Sequence, residues 1–298
     1  MKILNLLVVI VLSGTCLGGE QDVVKHLQDI SVTVRCSGSE GSGVIKNRTI
    51  KNGDKEEVVS YILSAAHVVS GARKTRTVVD SKTGQNKTLI EFADADIVQI
   101  LIENDRKVGE YKLSAEVLRY SDSEFGEDLA LLRLRKRNFV NKNTSVRFYN
   151  EDKLPPVGEN LYHLGSFLGT IGANSLASGI ISAHGRVLPN GKVFSQSSAV
   201  AFPGSSGAGM YLKDDGRYIG MLVRGHESNF NYYIPMPRIK NWAKRTGVEF
   251  ILDDNIEVPS DKELFKSPIE DDISDSVKTE NSKAMPGFLI KKIEAEQE

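Results

Sequence analysis

Gly204-Ser205-Ser206-Gly207-Ala208 sets a serine among residues with almost no side chain. The backbone can bend sharply there, and a reacting carbonyl can approach closely. A serine hydroxyl is a weak nucleophile at neutral pH. It needs a base within hydrogen-bond reach, and that base needs a buried acceptor to hold its tautomer. Upstream, Leu63-Ser64-Ala65-Ala66-His67-Val68-Val69 places His67 at the end of an apolar run. Glu127-Asp128-Leu129-Ala130-Leu131-Leu132 places Asp128 at the opening of a buried strand, where an unpaired carboxylate would be costly. The three types occur in the order His, Asp, Ser, unlike the Ser, Asp, His order of α/β-hydrolases. Ala208 also breaks the G-x-S-x-G pattern of those enzymes.

The surrounding pattern is all-β. Short alternating runs from Ile30 to Cys36, Val58 to Leu63, Ile97 to Ile102, Tyr111 to Leu118 and Leu129 to Leu134 are separated by polar clusters such as Asp80-Ser81-Lys82-Thr83-Gly84. Arg135 to Asn143 and then Pro155-Pro156 read as a crossover. A second set of runs follows, at Leu161 to Leu164, Ser175 to His184, Val193 to Gln196, Met210 to Leu212, Tyr218 to Val223 and Tyr232 to Ile234. Pro237 to Arg245 predicts a short helix, with proline at its start, Gly247 past its end and Trp242 on its apolar face.

These segments resemble the chymotrypsin-fold, trypsin-like serine endopeptidases, and most closely the bacterial high-temperature-requirement (Do-like) branch. Gly41-Ser42-Gly43-Val44-Ile45 is similar to that branch's strand before the histidine. Ser178-Gly179-Ile180-Ile181-Ser182-Ala183 with Gly185-Arg186 resembles its second-barrel motif, and Ile219-Gly220-Met221 with Tyr233-Ile234-Pro235 its strands after the nucleophile. The likeness runs from about Val32 to Gly247. It implies two six-stranded antiparallel β-barrels, residues 22–140 and 141–250, with the short helix closing the second. It implies Ser206 as nucleophile, His67 as base and then acid, and Asp128 rather than Glu127 as the orienting carboxylate. The backbone N–H groups of Gly204 and Ser206 become the oxyanion hole, and Val200, Val223, Gly225 and Asn231 surround the primary pocket. None of these pocket residues is acidic, so cleavage after small or medium apolar residues is expected rather than after Lys or Arg. Arg224 and His226 on the same rim strand are open to two readings, solvent-facing side chains or a preference for a nearby acidic residue.

Serine at position 205 cannot make the ion pair by which trypsin-like zymogens capture a freed N-terminal amine, so activation by that route is not expected. Protein or peptide substrates follow from the resemblance, and members of the branch commonly form homotrimers. A protease-fold protein that binds peptides with little or no turnover is the alternative. The stretch after residue 250 is too short for the PDZ domain that often follows in this branch.

Length and composition agree with that size of fold. The chain has 298 residues with 40% apolar content, enough for a sizeable core. Net charge is −1, so no overall basic field argues for nucleic acid. The balance is uneven: 13 acidic and 6 basic residues follow from Asp253 onward, and residues 251–298 read as an acidic, disordered tail with a docking segment at Met285 to Ile293. At the other end, Lys2 precedes an apolar run from Ile3 to Leu12 and a small-residue zone, which predicts a signal peptide over residues 1–18 and export to the periplasm or medium. The run is too short for a stable membrane span, and Cys16 leaves a lipoprotein reading open. Cys36 then stands alone, predicted on the buried face of a strand. No HExxH spacing and no cysteine pair is present, so neither a metal nor another cofactor is expected.

Overall fold

The computed structural model describes residues 19–104, 106–226 and 230–271. The signal peptide expected over residues 1–18, with Cys16, lies outside the described residues, as does the docking segment expected at Met285 to Ile293.

A helix, α1 (Glu20–Asp29), leads into strands β1 (Ser31–Cys36), β2 (Ser39–Asn52) and β3 (Lys55–Ser64). A single helical turn, α2 (Ala66–Val69), carries His67, and an exposed hairpin of β4 (Arg73–Val79) and β5 (Asn86–Phe92) follows. Strands β6 (Ala95–Glu103), β7 (Arg106–Ser121) and β8 (Leu129–Leu134) close the first barrel in the order β1-β2-β3-β8-β7-β6. The second barrel comprises β9 (Asn160–Phe167), β10 (Gly172–Val187), β11 (Val193–Ser197), β12 (Gly209–Leu212), β13 (Tyr218–His226) and β14 (Phe230–Pro235), closed as β10-β11-β14-β13-β12-β9. The expected architecture of two six-stranded antiparallel barrels is therefore the observed one. Cys36 is buried in β1. Among the described residues, no helix is long and apolar enough to cross a membrane.

The C-terminal helix, α3 (Met236–Thr246), follows the predicted limits to within a residue. Pro237 lies in its first turn, and Gly247 ends it at φ 70°, a left-handed position that glycine takes without strain. Trp242 is fully buried on its apolar face.

Residues 251–271 differ from the expected disordered tail. They run along the first barrel as an ordered strap containing a short helix, α4 (Asp261–Leu264), whose Ser260 and Glu263 form a capping box. Buried arginines bind main-chain carbonyls of the strap and of the residues leading into it. Arg48 donates to the carbonyls of Phe250, Asp253, Asp254 and Ile256, and Arg119 to those of Thr246 and Leu264. A guanidinium offers five donors in a fixed fork, so carbonyls that end a helix or turn satisfy it without any particular side chain. Asn47, which opens an Asn-Arg-Thr sequon, is buried and donates through Nδ2 to the carbonyls of Asn141 and Thr144. A glycan has no room there.

Candidate active site

The junction between the barrels is organised around Ser42. Its N–H donates to the carbonyl of Ser206 (2.7 Å), and its carbonyl accepts the hydroxyl of Ser64 (2.7 Å). Its own hydroxyl accepts the N–H of Ser166 (2.8 Å) and donates to the carbonyl of Gly204 (2.8 Å). One buried residue of the first barrel thus grips the serine turn of the second from both sides. Gly207, at φ 89°, packs so closely that a Cβ would collide with Ser42 O and Ser64 Oγ. Gly204, at φ 92°, would drive a Cβ into Ser166 O. Both positions exclude other residues by conformation and by space.

The peptide planes of this turn are set one by one. The carbonyl of Pro203 accepts from Leu168 N–H (2.7 Å), and that of Ser205 from Ala208 N–H (3.0 Å). In a planar trans peptide the N–H points opposite its carbonyl, so the amides of Gly204 and Ser206 are turned the other way. Among the described residues they donate to no protein acceptor, whereas the amides of Ser205, Gly207 and Ala208 are all bonded. Ser205 is buried, and its hydroxyl accepts from Phe202 N–H (3.1 Å).

His67 and Asp128 are in contact. Nδ1 of the imidazole lies 3.0 Å and 2.9 Å from the two carboxylate oxygens, and Oδ1 also accepts the backbone N–H of His67 (3.1 Å). An ionised carboxylate only accepts, so the Nδ1 proton faces it and the Nε2 lone pair faces outward. Asp128 is buried at φ 57°, a left-handed conformation that aspartate adopts more readily than most residues. Glu127 turns elsewhere. Burial works to raise its pKa, but the Arg238 guanidinium (2.6 Å) and Lys192 (3.2 Å) outweigh that and hold it below the ordinary value.

Ser206 is half-buried, and its main chain lies at the same junction. A side chain at Gly41 would touch both Val68, next to His67, and the carbonyl of Ser206. Among the described residues no hydrogen bond joins Ser206 Oγ to His67. Such bonds are often long before substrate binds.

Next to the serine, the ladder between β12 and β13 ends with Gly207 N–H donating to Leu222 O (2.8 Å). From Val223 onward, β13 has only β14 as a strand partner among the described residues, leaving an open edge along Val223, Arg224 and Gly225. Asn231 pairs with Gly225, donates to Ala199 O (2.5 Å) and keeps Oδ1 unpartnered, 3.1 Å from where a Gly225 side chain would project. Val200 is half-buried, Val223 is buried, and Arg224 is exposed with its guanidinium 3.4 Å from Ser123 O.

In the sequence His163 stands in no run comparable to that of His67, and nothing there marks it. It is fully buried, stacks on Phe167 with ring centroids 4.8 Å apart, and holds Val200 O through Nδ1 (2.9 Å). Desolvation pushes its pKa down to about 4, against the opposing pull of the Val200 carbonyl. The unfolded chain binds that proton near pH 6.5, so the stability from keeping His163 neutral is present above pH 6.5 and is lost as pH falls through about 4. The expected loss is about 3 kcal/mol across that window. Urea unfolding of the wild type and of His163→Gln from pH 7 to 4 measures it. The two stability curves should converge as pH falls, and parallel curves would mean that His163 is not the titrating group.

Two closed barrels with a histidine–aspartate pair and a glycine-flanked serine at their junction define the class, a serine-type endopeptidase of the chymotrypsin fold. Residues 41–221 match the profile of the trypsin-like peptidase domain, and the chain belongs to that family. Among solved structures it is similar to the inactive form of a serine-to-alanine mutant of Rv3671c from M. tuberculosis H37Rv, at 16% identity and a TM-score of 0.51 over 76% of this chain and 90% of that one. It is similar also to the serine endoprotease from Yersinia pestis, at 20% identity and a TM-score of 0.51 over 79% of this chain and 67% of that one. No curated protein matches.

Proposed function

We propose that this protein cleaves peptide bonds through a Ser206–His67–Asp128 triad and an acyl-enzyme. The observation that carries the reading is the pair of unbonded amides at Gly204 and Ser206, each aimed by the bonding of its own peptide carbonyl. In the first step Ser206 Oγ attacks the scissile carbonyl while His67 Nε2 takes the hydroxyl proton. The carbonyl oxygen becomes an oxyanion within reach of the two amides. Collapse of the tetrahedral species breaks the C–N bond, and His67 delivers the proton to the leaving amine. Water, deprotonated by the same imidazole, then releases the acyl group and restores the serine.

An extended substrate adds to the open edge of β13, which supplies main-chain pairing beside the nucleophile. Its side chain at the cleaved position enters the space among Val200, Val223, Gly225 and Asn231. Asn231 Oδ1 is a neutral acceptor there, with no carboxylate to balance Lys or Arg. The reading includes export, with a leader over residues 1–18 removed near Gly18, as the charged start and apolar run indicate.

Cleavage-site profiling of the mature chain against a peptide library, with its N-terminus sequenced first, tests these points together. The expected profile shows cuts after small or medium uncharged residues by a chain that begins near residue 19. Cuts after Lys or Arg, or no cuts at all, would overturn the pocket or the activity respectively.

A further inference from the structure

Two neighbouring carboxylates of the strap, Glu270 and Asp271, each hold one of the segments that carry the histidine–aspartate pair. Glu270 Oε2 accepts from Nε and Nη2 of Arg73 (3.0 and 2.8 Å). Arg73 begins β4, one short turn after the helix that bears His67. Asp271 Oδ2 accepts the hydroxyl of Ser121 (3.1 Å), the last residue of β7 and the register partner of Leu129. Ser121 Oγ in turn accepts Glu127 N–H (2.8 Å). The neighbouring Asp122 carbonyl accepts Asp128 N–H (3.2 Å) and Gly126 N–H (2.9 Å). The loop that turns Asp128 toward His67 is therefore tied to Ser121 at one end.

Main-chain bonds fasten the strap at this point. Tyr120 N–H donates to Ile269 O (2.8 Å), Asp271 N–H donates to Tyr120 O (2.7 Å), and Tyr120 and Glu270 form a parallel bridge. Arg245 of α3 anchors Asp271 from behind, with Nη2 at 2.6 Å from Oδ2 and Nε at 3.2 Å from Oδ1. Both carboxylates are largely shielded from water, at 17% exposed for Glu270 and 10% for Asp271, so solvent screens these contacts less than it would at a free surface.

We propose that Glu270 and Asp271 are positioning residues. They clamp the His67 segment to the Asp128 loop, and the clamp keeps imidazole and carboxylate in register. Neither residue touches substrate or the reacting atoms. The proposal rests on the triad reading above for its kinetic consequence but not for its geometric one.

In the full chain, the Glu270→Ala and Asp271→Ala double variant tests it. Turnover per titratable active site should fall on the order of tenfold, with KM within about twofold, because small misplacements at reacting groups act on the chemical step. The imidazole resonances of His67, followed by NMR, should move from their wild-type positions, since the ring then meets a less well-placed carboxylate. Glu270→Gln with Asp271→Asn keeps acceptor oxygens toward Arg73 and Ser121 and should restore most of the turnover. Unchanged His67 imidazole resonances in the double alanine variant would overturn the clamp, as would a loss confined to the number of active sites. The NMR readout holds even where no peptidase activity is found, which separates failure of the clamp from failure of the triad reading.

Discussion

Replacing Ser206 by alanine is expected to lower turnover by up to about 10⁶-fold while leaving peptide affinity nearly unchanged. The hydroxyl oxygen is the only heavy atom lost. The turn that carries it is fixed by bonds the alanine keeps, namely Ser42 N–H to the residue 206 carbonyl and Gly207 N–H to Leu222 O. The amides of Gly204 and residue 206, and the open edge of β13, stay where they are. Residual catalysis from those groups sets the floor of the effect. A fluorophosphonate probe should label the wild type at Ser206, fail to label Ser206→Ala, and label His67→Ala weakly. Retention of most proteolysis by Ser206→Ala would assign the nucleophile elsewhere. A wild type that binds peptides as tightly as the alanine variant, cleaves none and takes no probe would instead establish the binding-only alternative.

What the chain discloses before folding depends on how each feature is held. The serine turn is legible because its requirements fall on residue type, as only glycine fits at positions 204 and 207. The barrels are legible where apolar residues run together, as in Leu129 to Leu134, which is buried along its whole length. The β4–β5 hairpin is not, because both strands are mostly exposed and polar and leave only the turn around Asp80 as a signal. Ser42 is hidden differently. Inside Gly-Ser-Gly it reads as spacing, yet its partners Ser166 and Gly204 stand 124 and 162 residues away. The strap escapes notice because Arg48 and Arg119 bind carbonyls, which every residue owns, so an acidic and weakly apolar segment is ordered without any periodicity.

That distribution has a consequence for the site. The residues that would do chemistry are few and recognisable by type, while those that place them are scattered. Ser42 sets the serine turn, His163 and Asn231 hold the carbonyls of Val200 and Ala199 beside the pocket, and the strap's carboxylates grip the His67 and Asp128 segments. Substitutions at this second group should change rate or specificity by modest factors. Substitutions in the triad should not be modest.

Asp128→Asn is the sharpest case, because it changes one atom and leaves the fold intact. Asparagine tolerates the left-handed backbone at this position, so the loop has no reason to move. The amide oxygen must stay at Oδ1, where it accepts the backbone N–H of His67. The amide nitrogen then replaces Oδ2, 2.9 Å from Nδ1, and presents a hydrogen where the carboxylate presented a lone pair. Nδ1 also lies 3.0 Å from the retained oxygen, but that oxygen already accepts the His67 N–H, so Nδ1 meets the nearer amide hydrogen as an acceptor and the ring proton moves to Nε2. An imidazole protonated at Nε2 cannot take the proton of Ser206, and no buried charge remains to stabilise the imidazolium. Turnover should fall about 10⁴-fold at neutral pH, as expected for a wrong-tautomer triad. Thermal unfolding should stay close to that of the wild type, and peptide KM should change little. A loss smaller than tenfold, measured on protein of wild-type stability, would mean that Asp128 does not set the tautomer of His67.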